Sequence, residues 1–291
     1  MLIALDGSDR GFETIRYVTR IPPFQDMEVV LFTVFSKIPD CYWDMEKDHI
    51  YGSRLREIRV WETNTRKTLE GHMAQARQRL IDAGFPEASV TVKIHERKTG
   101  VARDILKEAR SGYTAVAVGR RGMSRVRDLV LGSITSKLLE KLSFSPLLLV
   151  GRNVHHGKVL IAMDASEGAM RAVEFVGGLL GESDLRIGLV HVVRKDGPNC
   201  ITEAESDMDP VFRDAEDRLI QAGMTSKQIS TTLLTGVASR AGAIVHKARE
   251  EGYGTIVVGR RGLSKVRQFF MGRVGNKVVQ IARGQAVWVV A

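Results

Sequence analysis

Two nineteen-residue stretches, GRRGMSRVRDLVLGSITSK at Gly119–Lys137 and GRRGLSKVRQFFMGRVGNK at Gly259–Lys277, agree at nine positions with an offset of 140. Chance would leave about one or two matches, so the chain is an internal duplication and folds as two copies of one unit. Each stretch follows a short apolar run, Thr114–Val118 and Thr255–Val258, that reads as a buried parallel strand. Each then passes through a glycine-bracketed basic loop into an amphipathic helix. A strand, a glycine-rich loop and a helix N-terminus together favour an anion, through exposed N–H groups and the positive end of the helix dipole. In the first copy Gly119 and Gly122 let the backbone approach a ligand and adopt positive φ. Gly132 removes a side chain at a second approach, and Ser133 offers a hydroxyl.

The rest of each copy alternates strands with helices, which predicts an α/β fold with right-handed crossovers. In the first half the expected strands are Leu2–Leu5, Met27–Phe35, Ser89–Ile94, Thr114–Val118 and Pro146–Val150. Ser8 or Asp9 caps the first helix and Pro22-Pro23 stops it. A long helix runs from about Glu57 to Ala83, with Ile58, Trp61, Thr65, Leu69, Met73, Ala76 and Leu80 along one face and Gly84 at its exit. The second half repeats the pattern in Val159–Met163, Arg186–Val193, Ile229–Leu234, Thr255–Val258 and Ala286–Val290, with a shortened helix at Val211–Ala222. The units are read as residues 1–152 and 158–291, joined by the polar linker GRNVHHG. Asp6 and Asp164 each end the first strand of their unit, offset by 158 residues rather than 140. The first half therefore carries an insertion, assigned mainly to residues 37–64 with their Tyr42, Trp43, His49 and Tyr51. Ligands in such sheets sit at the carboxyl ends of strands where the order reverses. If strands one and four are neighbours there, Asp6 and the glycine loop face one crevice.

The spacing Gly119, two residues, Gly122, nine residues, Gly132-Ser133 resembles the G-x2-G-x9-G-S/T signature of the nucleotide-binding universal stress protein family. The resemblance implies two tandem doubly wound parallel five-stranded sheets of order 3-2-1-4-5, paired about a pseudo-twofold axis through their last strands. It would set Leu147–Val150 against Val287–Val290 and cover two apolar edges. It implies an adenine nucleotide, ATP or else AMP or ADP, in the crevice. By the same resemblance Asp6 would hydrogen-bond the ribose or adenine side, the Val34 backbone would recognise adenine, and Gly119 would lie beside the ribose. Gly122, Gly132 and Ser133 would hold the phosphates, with Arg120 among the basic residues of that loop. The corresponding residues of the second half are Asp164, Val192 (within a His191-Val192 pair), Gly259, Gly262, Gly272 and Arg273. Arg273 replaces the signature's Ser/Thr. It either reaches a phosphate as a charged fork or fills the pocket, and the first half is expected to be the better site.

Composition narrows the function further. A net charge of +9 is spread over both halves, 25 basic and 19 acidic residues in 1–152 against 18 and 15 in 153–291. Aromatic residues make up 6%, so the clustered basic and aromatic pattern of a nucleic-acid binder is missing and nucleic acid is not the expected partner. Arg120, Arg121, Arg125 and Arg127, with Arg260, Arg261, Lys265 and Arg267, concentrate on the two glycine loops, where phosphate attraction accounts for them. No apolar run approaches the ~20 residues of a membrane span, and MLIALDG enters a strand at once, so the expected setting is cytoplasmic. Cys41 and Cys200 supply neither a disulfide framework nor a metal site, and His155-His156 reads as exposed linker. G-x4-G-K-S/T, G-x-G-x-x-G after the first strand and an S-G-G-x-D-S loop are all missing, as is a Ser/His/Asp set or a carboxylate pair around one loop. The first reading is a binding module that senses adenine nucleotide in a stress response. A slow ATPase using a bound Mg²⁺ is the second. A ligand-free scaffold with residues 37–64 as its contact surface is the third, and a homodimer and a protein partner are left open.

Overall fold

The computed structural model describes residues 1–8, 11–37, 52–122, 131–152, 154, 157–194, 198–262 and 271–291, without the side chains of 52–56 and 198–201. The first half runs β1 (Leu2–Ala4), α1 (Gly11–Val18), β2 (Val29–Phe35), α2 (Gly52–Asp82), β3 (Val90–Glu96), α3 (Val101–Ala109), β4 (Val116–Gly119), α4 (Ser133–Lys141) and β5 (Leu147–Val150). The second runs β6 (Lys158–Ala162), α5 (Glu167–Leu180), β7 (Arg186–Val192), α6 (Pro198–Gln221), β8 (Ile229–Leu234), α7 (Arg240–Glu250), β9 (Thr255–Gly259), α8 (Arg273–Ile281) and β10 (Ala286–Val290). Each half has the expected parallel order 3-2-1-4-5. The halves pair through their last strands, as the resemblance implies. They join in one ten-stranded sheet of order β3-β2-β1-β4-β5-β10-β9-β6-β7-β8.

The join is the antiparallel pair β5–β10, with Leu148 opposite Trp288, Leu147 opposite Val289 and Leu149 opposite Val287. Two strands that would each have exposed a row of unpaired backbone groups cover one another. Successive residues of these runs point to opposite faces, so continuous apolar strands serve two cores. One core holds Ile3, Leu31, Leu148, Ile161, Leu189 and Trp288 against α1, α2, α5 and α6, through Ile15, Leu80, Val173 and Leu219. The other holds Leu2, Phe32, Leu147, Leu149, Leu160 and Val287 against α3, α4, α7 and α8, through Ile105, Leu138, Ile244 and Val278. Both run without a break across the junction of the halves. Trp288 is fully buried at the junction, its ring 6.0 Å from that of Phe24 in the first half and 5.9 Å from that of Phe175 in the second. Tyr17 of α1 reaches Thr255 of β9 with a hydroxyl–hydroxyl hydrogen bond of 2.7 Å.

Most expected elements lie within one or two residues of their predicted ends, and two helices differ more. α6 begins at Pro198, not at Val211, and carries Pro210 in its interior. A proline there removes one helical hydrogen bond. Pro210 is exposed, where water can serve the carbonyl it leaves free, and Met208 just before it is buried. α2 begins at Gly52, and its apolar face is buried only toward its end: Met73, Ala76 and Leu80 are buried, whereas Trp61 is 60% exposed. Gly84, with φ +99, closes the helix as expected.

α3 is positioned by a buried carboxylate. Asp104 accepts hydrogen bonds from the N–H groups of Lys98 (2.9 Å), Thr99 (3.1 Å) and Gly100 (3.4 Å) and from the Thr99 hydroxyl (2.7 Å). Burial works to raise its pKa, but these hydrogen bonds outweigh it and hold the carboxyl down at about 2. Its folded pKa is thus below the ordinary 3.8, so its contribution to stability is complete above that pH and disappears as pH falls toward 2. Asp104→Asn is expected to cost about 2 kcal/mol at pH 7 by urea unfolding. Its difference from the parent protein should shrink steadily below pH 3.8.

Candidate functional site: the crevice at the switch point

The strand order reverses between β1 and β4, which pair in parallel with Ala4 opposite Val118. That register brings Asp6 and Gly119, which follow those residues, to one rim of the sheet. Asp6 is held in place by Ser8, whose N–H and hydroxyl donate to Oδ1 at 3.1 and 2.6 Å. The other carboxylate oxygen lies against Gly122 so closely that a Cβ at Gly122 would overlap it. Neither Gly119 nor Gly122 has positive φ. Gly122 is needed because the Asp6 carboxylate occupies the place of a side chain.

The loop returns to the same point. The Gly132 N–H donates to the Arg120 carbonyl at 2.8 Å, and a Cβ on Gly132 would stand 3.5 Å from the Gly122 nitrogen. Gly132 has extended backbone (φ −69, ψ 155) and begins α4 with no side-chain cap. Ser133 is exposed at the first helical position, and Thr135 fastens the helix to the strand by donating to the Gly119 carbonyl at 2.9 Å. Asp6, Gly119, Gly122, Gly132 and Ser133 thus converge where the helix presents its first N–H groups and positive dipole end. Val34 sits near the end of β2, opposite His95 of β3.

The second half builds the same arrangement. Asp164 accepts from the Ser166 N–H at 3.2 Å and from its hydroxyl, and a Cβ on Gly262 would lie 2.5 Å from its Oδ2. The Gly272 N–H donates to the Arg260 carbonyl at 2.9 Å and leads into α8, where Arg273 is exposed at the first position. Beside Val192, the His191 ring nitrogen Nδ1 is 2.8 Å from the Met163 carbonyl, tying the ends of β7 and β6 together. A Cβ on Gly259 would stand 2.6 Å from the Gly168 carbonyl, so α5 packs directly on this loop. Arg125, Arg127, Lys265 and Arg267, like Cys41, His155 and His156 and the Cys200 side chain, lie outside the described residues.

Arg120 departs from the expectation for its side chain. It is buried, and its guanidinium crosses the junction to donate from Nη2 to the Val279 carbonyl in the last turn of α8. Arg260 does the reciprocal, donating from Nη2 to the Leu139 carbonyl at 2.5 Å and the Glu140 carbonyl at 3.2 Å in the last turn of α4. Each arginine therefore caps the C-terminal end of the other half's helix, where carbonyls lack intrahelical partners and a cation suits the dipole. The sequence held a signal for this role. Both copies keep Arg at this place while the Ser133 position changes to Arg273.

Fold and site together define a tandem of doubly wound α/β domains, each with a carboxylate and a glycine loop at its switch point. The chain belongs to the universal stress protein family, which it matches over residues 1–151 and again over 155–290. It is 23% identical over 142 residues to the universal stress protein YxiE of Bacillus subtilis (strain 168), a match covering 43% of this chain and 93% of that one. Among solved structures it is similar to a universal stress protein from Archaeoglobus fulgidus DSM 4304, with TM-score 0.63 and 20% identity over 99% of this chain and 97% of that one. A protein of unknown function from Pseudomonas aeruginosa PAO1 has TM-score 0.55 and 15% identity over 99% and 92% of the two chains. These structural likenesses concern the fold. No described helix is long and apolar enough to cross a membrane.

Proposed function

We propose that this protein binds an adenine nucleotide, ATP or its shorter forms, as a sensor, and that residues 1–152 carry the better site. The observation behind the reading is the meeting of Asp6, Gly122 and Gly132-Ser133 at the start of α4, in the order of the G-x2-G-x9-G-S/T spacing. Asp6 offers a carboxylate to sugar hydroxyls, and the loop and helix start offer N–H donors to phosphates. The Val34 and Val192 main chains serve the base edge in their respective halves. In the second half Arg273 brings bulk and a guanidinium to the phosphate end, which alters or weakens binding there. Among the described residues no cluster of three or more His, Cys, Asp or Glu could hold a metal.

Native mass spectrometry of the purified protein should find retained adenine nucleotide. Ser133→Arg, which copies Arg273 of the second half, is expected to weaken ATP binding by calorimetry at least about tenfold, or 1.4 kcal/mol. Unchanged affinity together with no retained nucleotide would remove the assignment. Multiple-turnover phosphate release would move the protein to the slow-ATPase reading. A protein-contact role has one observation of its own, the adjacent Val60 and Trp61 on α2, 59% and 60% exposed.

A further inference from the structure

A cavity of about 160 Å³ lies at the junction of the halves, beyond the ends of β4 and β5. Glu13, Gly119, Arg120, Arg121, Val150, Gly151, Arg152 and Arg283 line it. Arg283 belongs to the second half, in the turn between α8 and β10. It arrives here because β5 and β10 are antiparallel, so the end of β5 lies beside the start of β10. Gly151 permits the approach: a Cβ on it would stand 2.9 Å from the carbonyls of both Arg283 and Gln285.

Four arginines therefore line the cavity against one acidic residue, Glu13, which also pairs with Arg16 at 3.4 Å. Arg120 is 6% exposed, and its Nη1 is without a hydrogen-bond partner although its Nη2 is bonded to Val279. A buried guanidinium nitrogen without an acceptor is costly, and such groups are rare in folded proteins. Burial lowers the pKa of Arg120 to about 10, with the charges of Arg121 and Arg283 adding to the effect. An anion would relieve both defects at once. Guanidinium forks match the oxygens of phosphate. The volume is smaller than the ~300 Å³ at which sites for drug-sized ligands begin, so the occupant is small.

We propose that this cavity is an oxyanion site for a phosphate group, built from both halves by Arg120, Arg121, Arg152 and Arg283 and separate from the crevice between β1 and β4. It does not depend on the nucleotide reading, because Arg152 and Arg283 have no part in that crevice. Two sources share the chemistry, free inorganic phosphate and the terminal phosphate of a nucleotide seated next door.

Thermal unfolding of the full chain in inorganic phosphate, with chloride at matched ionic strength as reference, tests the site. Phosphate is expected to raise Tm with saturation. Arg283→Gln and Arg152→Gln, both at exposed residues, should each weaken the apparent affinity about tenfold. Loss of the phosphate effect in ATP but not in AMP would identify the terminal phosphate as the occupant, and its persistence in both would identify free phosphate. A shift that never saturates, or one equally large in Arg283→Gln and Arg152→Gln, would overturn the proposal whether or not nucleotide binds elsewhere.

Discussion

Trp288→Ala is expected to lower the stability of the whole chain by about 4 kcal/mol, with urea unfolding remaining a single transition for both halves. Trp288 has no exposed surface and lies on the strand that closes the sheet, between Phe24 of one half and Phe175 of the other. Removing its ring leaves a cavity that neither half can close alone, because rigid strands support both walls. Trp288→Phe should recover much of the loss by keeping an aromatic ring between the same neighbours. The single transition follows from the two cores, each of which contains side chains from both halves. Two separated transitions in the parent protein, or a cost below about 1 kcal/mol for the alanine variant, would show that the junction is not a core.

Arg260→Leu is expected to cost about 2–3 kcal/mol, again by urea unfolding, although leucine is the more apolar side chain. The substitution leaves the Leu139 and Glu140 carbonyls at the end of α4 without their donor. Burial lowers the Arg260 pKa, helped by the charge of Arg261, so the arginine itself is held under an electrostatic penalty. The prediction is that the two carbonyl bonds outweigh that penalty. Arg260→Lys should restore only part of the loss, since an ammonium lacks the planar fork that serves neighbouring carbonyls. Equal or greater stability in Arg260→Leu would mean that the capping bonds contribute nothing net.

Much of this structure could be read from the residues because the governing forces are local or repetitive. The apolar runs at Leu147–Val150 and Ala286–Val290 announce strands covered on both faces, and the offset repeat announces two copies. Gly84 and its positive φ follow from helix-ending chemistry alone. The crevice was legible for the same reason: a carboxylate after β1 and glycines after β4 meet wherever those strands are neighbours. What escaped depends on long-range packing. The first turns of α6, from Pro198 to Pro210, do not read as helix, and Met208 there is buried only through its packing in the fold. Gly122 looks like a residue chosen for backbone freedom until Asp6 is placed against it. Arg120 and Arg260 look like loop charges, and only the antiparallel closure of the sheet reveals which helix each one reaches.

That pairing of β5 with β10 also fixes where the two crevices can open. All strands within a half run the same way, and the strands of the other half run against them. The carboxyl ends of the two sets of strands, and with them the two crevices, therefore lie on opposite rims of the sheet. A partner in contact with both crevices would have to reach from one rim of the sheet to the other.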